Sequence, residues 1–258
     1  MSGIRTVCTS EFKSLKKIYA LEVERLRSLS FFLLLILLLA SCSKQVVEKK
    51  IILEEPIRLE KPILGVIPEA IMQKAEQKYG PYARNRYEAY NAKLRELQNS
   101  STEVKLEEIN NFFNKVPYGE DMEIWGKQDY WATPLEFLGK DKGDCEDYVI
   151  AKYFSLRDLG VESEKLYFSY VKASQFTRTH IVLSYFKTPS AIPLILDSIN
   201  FKILAADERK DLTPIYNLNG DSLYRVSQKG QNGEKIKNNV RIHERWNRLI
   251  DDVKRNKL

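Results

Sequence analysis

The sequence predicts an α+β domain in which N-terminal helices pack on an antiparallel β-sheet. Three observations predict it: helical-period apolar residues after residue 66, β-rich runs after residue 165, and one clearly bounded helix between them. Glu69 to Gly80 and Tyr82 to Gln98 read as two helices, the first closed by Gly80-Pro81. Leu106, Ile109, Phe112, Phe113 and Val116 mark a third over about residues 104–116. The central helix opens at Asp144, buries a broad face of Val149, Ile150, Tyr153, Phe154, Leu156 and Leu159, and ends at Gly160. KLYFSYV, THIVLSYF and IPLILDS then read as strands, as do FKIL and SLYRV. The tail Glu234 to Lys257 is amphipathic through Ile236, Val240, Trp246, Leu249 and Val253, and reads as a last helix.

The 258 residues suffice for one globular domain and an appendage. A net charge of +6 from interspersed charges forms no basic stripe, so a nucleic-acid partner is not expected. Three cysteines (Cys8, Cys42, Cys145) and two histidines (His180, His243) are too few for a disulfide framework or a Cys/His zinc site.

The appendage is N-terminal. Phe31 to Ala40 (FFLLLILLLA) follows Arg25 and Arg27, as the short apolar region of a secretory signal follows its charged flank. As a helix such a run is too short for a hydrocarbon core of about 30 Å. Leu39-Ala40-Ser41-Cys42 resembles a bacterial lipoprotein box, which implies cleavage before Cys42 and acylation of its sulfur. A plain signal peptide with an incidental cysteine is the competing reading. Residues 1–42 are therefore taken as the signal segment, 43–65, with mixed charge and two prolines, as a tether, and 66–258 as the domain. Glu11, Glu22 and Glu24 suit a signal flank poorly, so translation is expected to start downstream of Met1. Ser43, not Asp, follows Cys42, which favours the outer membrane. The expected location is the periplasm, lipid-anchored to that membrane, with Cys145 lacking a disulfide partner there.

Chemistry concentrates at Gly143-Asp144-Cys145-Glu146-Asp147-Tyr148. With Asp144 as N-cap and Asp147 at N3, Cys145 falls in the first helical turn, where backbone N–H groups and the macrodipole favour a thiolate. A cysteine so placed is more often merely packed, so the segment alone does not decide. A thiolate nucleophile needs a proton shuttle. His243 sits among Arg241, Glu244 and Arg245 and reads as solvated surface. His180 starts the apolar run Ile181-Val182-Leu183, and Asp197 closes Leu194-Ile195-Leu196 on the following strand. A carboxylate there is costly to bury without a partner, which an imidazole N–H supplies. Either residue alone could be structural. Cysteine at a helix start, then histidine and aspartate on successive strands, is the order used by papain-like and transglutaminase-like thiol enzymes.

The stretches Asp129-Tyr130-Trp131-Ala132-Thr133-Pro134, Gly143 to Tyr148, Thr179-His180-Ile181-Val182-Leu183 and Leu194-Ile195-Leu196-Asp197 resemble the bacterial transglutaminase-like cysteine peptidases, the group of the LapG-type periplasmic proteases. The similarity runs from about Asn111 to Tyr216. The resemblance implies a papain-like, transglutaminase-like fold, with Cys145 as nucleophile, His180 as general base and acid, and Asp197 as orienting acid. It implies cleavage of a large surface adhesin near its N-terminus, at a di-alanine-containing site, releasing cells from biofilm. An inner-membrane cyclic-di-GMP receptor that sequesters the protease is a further implied partner. For the oxyanion hole the sequence offers the Cys145 N–H with a donor from Gln128 or Trp131, the latter equally suited to core packing.

Asp141, Asp144, Glu146 and Asp147 crowd the thiol, with Lys142 between them. Each carboxylate at about 8 Å, in an effective dielectric of about 20, opposes thiolate formation by about 2 kcal/mol. A bound Ca²⁺ would neutralise them, and the family resemblance implies calcium dependence with Asp144 and Glu146 as ligands; Asp141 and Asp147 are further candidates. The alternative is that these carboxylates only cap the helix. Two other functions stay open: a transglutaminase-like acyl transfer to an amine, and a non-catalytic lipoprotein that binds an adhesin or receptor.

Overall fold

The computed structural model describes residues 64–258, except 176–177, 221 and 237–239. The signal segment, Cys42 and all but the end of the tether lie outside the described residues. Among the described residues no helix is long and apolar enough to cross a membrane.

Among the described residues six α-helices precede the sheet: α1 (Glu69–Tyr79), α2 (Pro81–Leu97), α3 (Thr102–Phe113), the short α4 (Asp121–Trp125) and α5 (Pro134–Lys140), and α6 (Cys145–Asp158). Gly80 takes φ 88°, a left-handed value open to glycine, and Pro81 starts α2 at once. The helical period of α2 puts Ala83, Tyr87, Tyr90, Leu94 and Leu97 on one buried face. Ser101 caps α3 by accepting from the Val104 N–H at 3.4 Å. Thr133 and Glu136 form a reciprocal capping box on α5, with Pro134 in its first turn.

α6 is enclosed almost throughout, with every residue from Asp147 to Leu156 buried. Its hydrophobicity is correspondingly spread around the helix rather than gathered in a stripe. Lys152 lies within it, fully buried; burial lowers its ammonium to about 7, partly offset by Asp197.

The sheet has seven antiparallel strands: β1 (Leu166–Ala173), β2 (Thr179–Tyr185), β3 (Leu194–Leu196), β4 (Leu204–Ala205), β5 (Leu212–Asn219), β6 (Ser222–Val226) and β7 (Asn232–Ile236), in the order β4-β3-β2-β1-β5-β6-β7. One face carries Leu166, Phe168, Ile181, Leu183 and Leu196 into the main core shared with the helices. Val171, Val182 and Ile195 form a small cluster on the other. The last helix, α7 (Val240–Lys254), inserts Trp246 among Tyr153, Phe154 and Phe168, with centroid separations of 5.5 to 6.3 Å.

The α+β architecture agrees with the sequence reading, but three boundaries do not. Ile236 ends β7 and is not part of the final helix. The IPLILDS run forms only a three-residue strand. FKIL contributes only Leu204 to a two-residue strand. β5 and β7 carry no apolar alternation strong enough to announce them, since β5 holds Pro214 and β7 reads NGEKI.

Candidate active site

Cys145 is the first residue of α6, and the first turn is laid out by what surrounds it. Asp147 at N3 accepts from the N–H of Asp144 at 3.4 Å and, through its other oxygen, from the N–H of Ala132 at 2.9 Å. That second bond draws the Trp131-Ala132 segment over the helix N-terminus. Gly143 has no room for a side chain: a Cβ there would lie 2.6 Å from the Phe137 ring and 2.7 Å from Asp147 Oδ2.

The β2–β3 register pairs Leu183 with Leu196. One step further sets Asp197 opposite Val182, diagonal to His180 and on the same side of the pleat. His180 Nε2 and Asp197 Oδ1 are accordingly 2.8 Å apart, both side chains buried. Asp197 Oδ1 also accepts from the Ile199 N–H at 3.0 Å, and Oδ2 from Arg209 at 2.7 Å. The Asp197 carbonyl accepts from Asn114 Nδ2 at 2.8 Å. Burial works to raise the Asp197 pKa, but His180, the Ile199 N–H and Arg209 outweigh it and hold the carboxyl at about 2. Arg209 is in turn shared with Asp211. Sequence reasoning singles out neither Asn114 nor Arg209 as functional; Arg209 sits in an ordinary charged run, and Asn114 directly follows the apolar Phe112 and Phe113 with no pattern of its own.

The thiol lies between these two walls. Cys145 Sγ donates to Glu146 Oε2 at 2.8 Å. Burial and then the Glu146 carboxylate push the thiol pKa up, while the backbone N–H of Ile181, next to His180, favours the thiolate. The packing of α6 on β2 brings this helix and the histidine strand together.

Three carboxylates meet beside it. Asp121, Asp144 and Asp147 each present an oxygen within 4.8 Å of the others. Burial first, then the mutual repulsion of this group and Glu146, raises Asp144 to about 10 and Asp147 well above its ordinary value; Asp121 is raised to about 6 by burial, against the pull of the Tyr130 N–H. Asp121 Oδ1 and Asp144 Oδ1 are buried without a hydrogen-bond partner. Buried carboxyl oxygens left open in this way suit a hard cation, whose charge would favour their ionised form. Of the sequence candidates, Asp144 and Asp147 belong to this group, Glu146 is turned to the thiol, and Asp141 lies 3.6 Å from Arg86 instead. Asp121 joins from the start of α4, which no local pattern links to residue 144.

Gln128 is exposed after α4. Trp131 packs 6.1 Å from the Phe168 ring and keeps its Nε1 buried without a partner. His243 stands on α7, half-buried, with Nε2 3.1 Å from Asn247.

The model of the bacterial transglutaminase-like cysteine proteinases matches residues 81–210, a span that holds the thiol, the histidine and the aspartate. The chain is a bacterial transglutaminase-like cysteine proteinase. The proteinase is similar to calcium-bound LapG of Legionella pneumophila, with 36% identity over 70% of this chain and 96% of that one, and a TM-score of 0.60. Two further structures of that LapG, one of them EGTA-treated, each match at 34% identity over 74% of this chain and 99% of theirs, with TM-scores of 0.61. No curated protein matches the proteinase.

Proposed function

We propose that the proteinase is a calcium-dependent cysteine endopeptidase of the cell envelope that cleaves a large surface adhesin near its N-terminus and so releases cells from biofilm. The observation that carries the chemistry is the 2.8 Å His180–Asp197 pair, with His180 on β2, the strand packed against the helix that Cys145 begins. Asp197 engages Nε2, so the proton of the Cys145 thiol passes to Nδ1 of His180. The thiolate attacks the scissile carbonyl carbon, and the oxyanion is received by the Cys145 N–H and by Trp131 Nε1, a buried donor without a partner. His180 returns the proton to the departing amine, leaving a thioester. It then takes a proton from water, whose oxygen attacks the thioester and releases the acid and the Cys145 thiol.

Asp121, Asp144 and Asp147 are the residues that would hold Ca²⁺, whose charge compensates the carboxylates crowding the nucleophile. Support comes from the two open buried oxygens and from the calcium-bound and EGTA-treated forms of the similar LapG. The adhesin substrate, and sequestration by an inner-membrane cyclic-di-GMP receptor, rest on the family resemblance. An anchor at Cys42 would hold the enzyme beside an adhesin retained at the same membrane, raising the effective concentration.

Two experiments test this. Purified protein incubated with an N-terminal adhesin fragment should cut it at a di-alanine-containing site in millimolar calcium and leave it intact in excess EGTA; full cleavage in EGTA removes the calcium requirement. Cys42→Ser should shift the protein from the outer-membrane to the soluble periplasmic fraction, and unchanged fractionation rejects the anchor.

A further inference from the structure

Residues 118–123 lie along the segment that leads into Cys145. The Gly119 N–H donates to the Gly143 carbonyl at 2.9 Å, and Tyr118 bridges to Gly143 in parallel. The Lys142 side chain fills the space where a Gly119 side chain would stand, and its Nζ reaches Glu123 at 2.6 Å. The segment is thus fastened to the residues that lead into Cys145, and it carries Asp121, the first residue of α4.

On the histidine side it is held by Arg178, two residues before His180. The guanidinium donates through NH1 to Glu120 Oε2 at 2.6 Å and through NH2 to Glu120 Oε1 and to the Tyr118 hydroxyl, the latter at 2.5 Å. Tyr118 also donates to Glu120 at 3.0 Å, which closes a three-membered network. Tyr118 and Arg178 both lie near enough to Cys145 to interact with it electrostatically. A single exposed ion pair contributes little, but a forked guanidinium with a third member fixes geometry as well as charge.

We propose that Arg178 is a positioning residue that ties the 118–123 segment to the start of β2, so that filling the Asp121–Asp144–Asp147 site also sets His180 against Cys145. The inference rests on the calcium reading above. Cation binding fixes residue 121, the Glu120–Arg178–Tyr118 network passes that constraint to residue 178, and the strand carries it to residue 180. Linkage is reciprocal, so loosening the network also weakens calcium binding.

The test reads the alkylation rate of Cys145 by iodoacetamide, followed by peptide mass mapping, alongside calcium affinity by calorimetry. In wild type, calcium should accelerate alkylation over EGTA. Arg178→Met should lose about fivefold of the calcium-stimulated rate, the effect of removing about 1 kcal/mol, and bind calcium more weakly by a similar factor. The charge exchange Glu120→Arg with Arg178→Glu should recover most of both, and neither reversal alone should. Thermal melts check that each variant is folded. An Arg178→Met protein with wild-type calcium stimulation and affinity overturns the strap and leaves the calcium reading standing, as does a slowed variant that the exchange fails to rescue. A wild type whose Cys145 ignores calcium overturns both.

Discussion

Cys145→Ala should lower peptide-bond cleavage by about 10⁴-fold or more while the protein stays folded. In the proposed mechanism the sulfur carries the acyl intermediate, and loss of a nucleophile from a concerted triad forfeits nearly all of its rate enhancement. Truncation removes one hydrogen bond, to Glu146, and relieves that carboxylate of a neighbour, so stability should change by no more than about 1 kcal/mol. Steady-state cleavage of an adhesin fragment and a urea titration measure the two effects. Retained cleavage by the alanine variant would eliminate the thiol mechanism, whereas a large loss of stability would make its inactivity uninformative.

Asp197→Asn should damage both catalysis and folding. The carboxylate fixes the His180 tautomer by accepting at Nε2, and its replacement by an amide removes the negative charge that favours imidazolium. A reduction in kcat on the order of 10²-fold or more is expected. The same change leaves Arg209, itself buried, with only Asp211 as an ionic partner, and breaking one side of a buried pair costs about 3 kcal/mol. Acid behaviour separates the charge from the shape. The native carboxyl is held at about 2 against 3.8 when unperturbed, so its contribution, about 2 kcal/mol, is complete above the unperturbed value and fades as pH falls towards 2. Urea titrations at pH 7 and pH 3 should therefore show wild type losing its advantage over Asp197→Asn as the solution is acidified. A constant gap between the two would mean that the carboxylate's charge is not what stabilises the fold.

What could be read from the sequence was whatever is encoded over short distances. The cap at Asp144 and the terminating Gly160 place Cys145 in the first turn of a helix, as found. The apolar run after His180 and the one before Asp197 are strands, and antiparallel register then puts the two side chains in contact. Hidden were the partners supplied from afar. Arg209 reaches Asp197 across a loop, Asn114 reaches it from beyond α3, and Asp121 meets Asp144 and Asp147 because the chain leading into α4 folds back on residue 143. Asp141, close to the thiol in sequence, follows the left-handed C-cap of α5 away towards Arg86. Proximity along the chain was enough for the helix start and for Asp144 and Asp147, and was not enough for Asp121, whose place depends on where a distant segment returns.

The enclosure of α6 makes tolerance to mutation uneven across the molecule. Its side chains from Asp147 to Leu156, and those of the helices and strands that wrap it, form a close-packed sheath that starts two residues after Cys145, so a change of volume there bears on the position of the sulfur. The outer strands β6 and β7 and the solvent faces of α1 and α2 are outside that sheath. Evolutionary drift, or a protein engineer, can rewrite those surfaces to suit new hosts and new binding proteins without retuning the nucleophile.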